Sequence, residues 1–152
     1  MKGVLPQSAR IEGLTARHQR NLAERRLHRL FRAVYRWARW KCSRVPRLTL
    51  FVGCGMIERD RVRGNPRSFM HCGHITGRIC VTAKAAKLSD QQVLGAYFHE
   101  IGHLLAWDLI GRSQQWDADR ACLFLLGVRI KYGSGLVIER VSPSVVRRVL
   151  RR

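Results

Sequence analysis

Acidic residues are scarce in this chain: 10 Asp and Glu stand against 29 Lys and Arg over 152 residues, a formal charge of +19. A surface that basic disfavours cationic partners and draws polyanions, nucleic acid first, an anionic membrane or acidic protein second. Long apolar runs are missing as well; none approaches the ~18–20 residues that a bilayer-spanning helix needs. The start, Met1-Lys2-Gly3-Val4-Leu5-Pro6, lacks the continuous apolar stretch of a secretory signal, which points to a cytoplasmic protein, with a virion-associated one as a variant. Its Arg-rich, acid-poor composition is also that of a mitochondrial transit segment. Paired C-x-x-C spacing is absent among Cys42, Cys54, Cys72, Cys80 and Cys122, which argues against a disulfide framework and against a zinc ribbon. His71-Cys72-Gly73-His74 is a compact Cys/His cluster, but without further ligands at suitable spacing it reads as a turn entering a strand. Internal repeats and low-complexity tracts are lacking too. What is left, 46% hydrophobic residues, suits one globular domain with a real core.

The charge is unevenly spread. Residues 1–47 carry 13 Lys and Arg against Glu12 and Glu24, and residues 128–152 carry seven against Glu139. Residues 81–127 carry four against five acids. Basic flanks thus enclose a nearly neutral middle, as expected of a chain whose ends meet a nucleic acid or other polyanion while chemistry happens between them. A solvated basic face with no dedicated partner is the plainer alternative.

Hydrophobic periodicity orders the chain. Residues 1–16 read as a basic arm. From Thr15 to Lys41, Leu27, Leu30, Phe31, Val34, Tyr35 and Ala38 recur at helical spacing while Arg25, Arg29, Arg32, Arg36 and Arg39 fill the other side. Trp37 and Trp40 fit core packing better than base stacking. Leu48–Val52 and Arg78–Thr82 read as strands, with a charged loop at 58–68 between them. Leu88-Ser89-Asp90-Gln91-Gln92 reads as the N-cap and first turn of a helix that ends at Gly111. A second helix spans about 113–127, and residues 128–141 contain a flexible turn at Tyr132-Gly133-Ser134-Gly135. Ser142-Pro143 starts a short basic amphipathic tail, 142–152, suited to packing back, to a polyanion or to a membrane surface.

The chemistry lies in His99-Glu100-Ile101-Gly102-His103. Residues four apart share a helix face, so both imidazoles can direct a nitrogen at one Zn²⁺. Glu100 is placed to act as general base on a water rather than as a ligand. A catalytic zinc needs a third protein ligand, and Trp116-Asp117-Ala118-Asp119-Arg120 on the next helix offers two carboxylates. Asp108, five residues past His103, points away from the histidine face. Asp117 or Asp119 at a helix start also has an ordinary role, complementing the helix dipole.

These motifs, with Leu125-Leu126 after them, resemble the small gluzincin-like zincin metallopeptidases of the ImmA/IrrE type over about residues 78–127. The resemblance implies an α+β, minimal zincin-like domain over 17–141: a basic N-terminal helix, a small sheet with an edge strand, the H-E-x-x-H helix and a ligand-bearing helix after it. It implies Zn²⁺ as cofactor, a protein or peptide as substrate, and a substrate-pairing edge strand at about 78–83. In that family the second helix reads Glu-x-x-Ala-Asp, the Glu binding zinc and the Asp supporting a zinc-bound histidine. Here Gln115 stands at the Glu position. Asp119 is then the expected third ligand, or the support of His99, with Asp117 as the alternative ligand. A nucleic-acid-associated protein of a phage or mobile element, built on a zincin scaffold with little or no catalysis, is the second expectation.

Overall fold

The computed structural model describes residues 7–53, 70–73, 76–133 and 139–151, the side chains of 7–20 and 83–84 excepted. The expected loop at 58–68, with Cys54 and His74, lies outside the described residues, as does most of the 133–135 turn.

Helix α1 spans Gln7–Lys41, starting well before Thr15. After Pro6 the stretch is rich in Gln, Ala, Arg, Glu and Leu, all good helix formers, so the expected arm at 7–16 is helical. Leu27, Leu30, Phe31, Val34, Trp37 and Ala38 are buried on its inner face. Arg25, Arg29, Arg32, Arg36 and Arg39 are all exposed on the other. Trp37 packs edge-on against Phe98, their ring centroids 5.6 Å apart, whereas Trp40 is 59% exposed.

Three short strands follow: β1 (Thr49–Val52), β2 (Met70–Gly73) and β3 (Arg78–Val81). Their order is β1-β3-β2, with β3 parallel to β1 and antiparallel to β2. This corrects the expectation that residues 78–83 form the edge. β3 is the central strand, which fits its burial of Ile79, Cys80 and Val81, and β2 is the edge facing the H-E-x-x-H helix. His71-Cys72 accordingly lies within the strand itself, where a turn entering a strand was expected.

A 3₁₀ turn (Ala83–Lys87) leads into α2 (Asp90–Ile110). Ser89 caps α2 by accepting from the Gln92 amide, and the Gln92 side chain accepts from the Ser89 amide in return. Arg26 of α1 ties this start in place, donating to the Ala86 and Leu88 carbonyls at 3.0 Å each and to Asp90 at 2.6 Å. Gly111 in the left-handed conformation ends the helix (φ 66°). α3 (Gln115–Ala121) continues as a π turn over Cys122–Leu126 before Gly127 stops it. Lys131–Tyr132 (β4) pairs antiparallel with Glu139–Arg140 (β5), where only a turn was expected. The last helix, α4 (Pro143–Leu150), starts on a Ser142 cap.

The fold class is therefore α+β, as expected. Of the basic tail, residues 142–151 are described and pack back on the core: Val145 and Val149 lie in the same buried cluster as Leu27 and Leu105, while Leu150 is exposed. Among the described residues no helix is long and apolar enough to cross a membrane.

Two helices meet most closely at Gly102. A Cβ there would drive well inside contact distance of the Ala118 carbonyl oxygen, so α3 can approach α2 only because this position carries no side chain. Gly102→Ala is expected to destabilise the fold by about 1–3 kcal/mol, read as a lower urea midpoint at unchanged slope. An unchanged midpoint would show that the two helices are not in this contact.

Candidate metal centre

His99 and His103 occupy successive turns of α2, so their rings sit one above the other, with centroids 4.6 Å apart. What fixes them is the hydrogen bonding of their Nδ1 atoms. Asp119 Oδ1 lies 2.8 Å from His99 Nδ1 and, being a carboxylate, accepts its proton. Ser113 Oγ lies 2.6 Å from His103 Nδ1. The Ser113 hydroxyl spends its one hydrogen on the His103 carbonyl at 2.9 Å, so it too must accept from the imidazole. Both neutral rings therefore carry their proton on Nδ1 and present a bare lone pair at Nε2.

The two Nε2 atoms are 3.0 Å apart, and Gln115 Oε1 closes the triangle at 2.5 Å from His99 and 3.1 Å from His103. Ligands of a tetrahedral zinc at ~2.0–2.1 Å stand roughly 3.3 Å from one another, so this cluster is close to the size of a coordination site. Three acceptors converging on one point repel unless a cation joins them. Turned the other way, the Gln115 amide offers two N–H donors to the same nitrogens and closes the gap without an ion. Among the described residues no three His, Cys, Asp or Glu side chains already stand together as a ready ligand set. The two imidazoles present fit a metal, and the neutral amide oxygen beside them is a weak donor to zinc.

The expected third ligands sit elsewhere. Asp119 is behind His99, on Nδ1 rather than Nε2, and its Oδ2 accepts the Tyr132 hydroxyl at 2.5 Å. Its position is that of a support. Asp117 is buried at the start of α3, accepting from the Gln114 amide at 3.2 Å with Arg112 Nε at 3.4 Å; it caps the helix. Asp108 faces Arg44 on the far side of α2, at 3.6 Å.

Glu100 and His103 line a cavity of about 390 Å³, with Cys72 of β2, Trp107 and Gln115 also in its wall. Burial raises the Glu100 pKa, partly offset by its hydrogen bond with Cys72 and by the His99 charge, while Glu139 raises it further. Burial likewise lifts the Cys72 thiol, aided by Glu100. For His103, burial and then His99 lower the value. For His99, burial is the largest single influence and lowers the value, but the Asp119 hydrogen bond, Glu100, Glu139 and the Asp119 charge together outweigh it and raise it. Ser113, Tyr132 and Glu139 join this neighbourhood without any local spacing in the sequence to mark them, and Cys72 enters it from β2.

Compared with protein-family models, curated proteins and solved structures, the chain finds no match.

A protonated Nε2 cannot bind an ion, so metal affinity must fall as pH drops through the raised His99 pKa. His103, held low, stays unprotonated in that window. Zinc affinity is therefore expected to weaken by about tenfold per pH unit, one proton's worth, in a chelator-competition titration run from alkaline pH down to the ordinary imidazole range. A hundredfold loss per unit would mean that both rings titrate together and that the assigned environments are wrong.

Proposed function

We propose that this protein is a zinc-dependent metallopeptidase of the small zincin type. The observation that carries the proposal is the convergence of the His99 and His103 Nε2 atoms, each ring held by an Nδ1 hydrogen bond, beside the cavity that His103 and the buried Glu100 line. His99 and His103 would hold the ion, and a bound Zn²⁺ supplies Lewis-acid polarisation of a carbonyl and a more acidic water. The rest of the chemistry belongs to the chain. Glu100, whose hold on a proton is strengthened by burial, is placed to take a proton from water and return it to a leaving amine. Asp119 and Ser113 keep the imidazoles in one tautomer and orientation throughout. The β2 edge, with Cys72 in the cavity wall, offers backbone groups that an extended peptide can pair with. Resemblance of H-E-x-x-H and Ala118-Asp119 to the ImmA/IrrE-type peptidases points the same way, with Asp119 in the supporting role that the family's Asp plays.

Glu100→Gln keeps the shape of the site and removes the base. It is expected to retain zinc while peptide hydrolysis falls by at least ~10²-fold; an unchanged cleavage rate contradicts the mechanism.

A second reading draws on the Gln115 amide and on the exposed arginines. With its NH₂ turned inward, Gln115 seals the two histidines and leaves a zincin scaffold without catalysis. The arginines of α1, with Arg147, Arg148 and Arg151 on the neighbouring C-terminal helix, then make it a nucleic-acid-associated protein. DNA binding that weakens steeply with salt, by about 10³-fold or more between 50 and 200 mM for six or more phosphate contacts, is expected on this reading. No affinity at low salt would remove it. The two readings are compatible if the basic surface delivers a peptidase to nucleoprotein.

A further inference from the structure

The weak point of the metal centre is its charge. Two neutral imidazoles and a neutral amide give Zn²⁺ no anionic ligand, whereas open catalytic sites built on two histidines take a carboxylate. The carboxylates of α3 are committed elsewhere, Asp119 to His99 Nδ1 and Tyr132, Asp117 to the helix start. A different element brings one to the metal-facing side. Glu139 Oε1 lies 3.9 Å from His99 Nε2, and its side chain is 25% exposed.

This placement is built into the packing. β5 lies directly on α2: a Cβ on Gly95 would come within 2.5 Å of Arg140 Cα and 2.6 Å of its nitrogen, and the Val141 amide donates to the Gln91 carbonyl at 3.1 Å. Gly95 is one helical turn before His99 on the same face, so Glu139, next to Arg140, is carried over the His99 ring. Its cross-strand partner is Tyr132, the residue that holds Asp119 behind the same ring. One strand pair thus serves His99 from both sides, Tyr132 through Asp119 at Nδ1 and Glu139 at Nε2. The gap to ligand spacing is about 0.6 Å beyond the roughly 3.3 Å that tetrahedral ligands keep, and a glutamate with three rotatable bonds can close it.

We propose that Glu139, from the β4–β5 pair, is the anionic ligand of this centre, completing a His99, His103 and Glu139 set that makes good the neutral Gln115. The inference rests on the metal-centre reading given above and deepens it. It makes the site anionic enough to hold zinc tightly.

The test is zinc affinity of the full-length chain, measured by competition with a chromophoric chelator, with the thermal midpoint of each zinc-free variant as the folding control. Glu139→Gln is expected to weaken zinc by at least about 100-fold with the zinc-free midpoint unchanged, while Gln115→Ala stays within about tenfold of the parent. Parental affinity in a folded Glu139→Gln variant overturns the assignment and leaves the metal centre itself standing. If Glu139→Gln does not fold, Gln115→Ala decides: zinc retained supports Glu139, zinc lost overturns it in favour of the amide. A parent chain that binds no zinc overturns both this assignment and the metal centre.

Discussion

The arrangement hangs on two places where α2 carries no side chain. Gly102 lets the Ala118 backbone touch the helix, and Gly95 does the same for Arg140. His99 lies between them, so the elements on either side close over one imidazole. Ala118 sits between Gln115 and Asp119, which the first contact brings to Nε2 and Nδ1 respectively. Arg140 is adjacent to Glu139, which the second contact brings to the same ring. A methyl group at either glycine would push one of these partners away. The site is thus a consequence of backbone packing, with the polar groups arriving where the glycines allow.

That packing also explains why the cluster has the protonation pattern a metal needs. A buried histidine left to itself would share its protons between two nitrogens. Here a carboxylate and a committed serine hydroxyl each claim Nδ1, and the two Nε2 lone pairs are left facing one another. Something must relieve that repulsion. A cation does so in the enzyme reading, and the two N–H groups of an inward-turned Gln115 do so in the scaffold reading. Both outcomes use the same atoms, so the identity of the anionic neighbour matters more than the shape of the triangle.

Much of this was legible in the sequence because it depends on short spacing. The His99/His103 pair, the helix start within Leu88–Gln92, the arginine face of α1 and the Ser142–Pro143 helix start all follow from residues within four positions of each other, and each is found where expected. The misses are long-range. That β3 is central depends on its parallel pairing with β1, which lies 29 residues earlier in the chain (Thr49 opposite Arg78). The position of Glu139, forty residues beyond His99, is long-range too, and nothing local marks β5 as a strand over the helix. The sequence carried one hint: Glu139 is the lone acid among the Lys and Arg of residues 128–152. The role of Asp119 was legible only in part, since spacing put a carboxylate near the histidines without saying which nitrogen it would reach.

The claim on which the account turns is that His99 and His103 hold an ion, with oxygen and not sulfur completing its shell. X-ray absorption at the zinc edge, on the purified full-length chain loaded with one equivalent, reads this directly. Two imidazole nitrogens and oxygen donors at about 2.0–2.1 Å are expected, with the imidazole scattering lost in a His99→Ala, His103→Ala double variant. A sulfur shell near 2.3 Å, a spectrum unchanged by the double variant, or no zinc retained at all would contradict that claim.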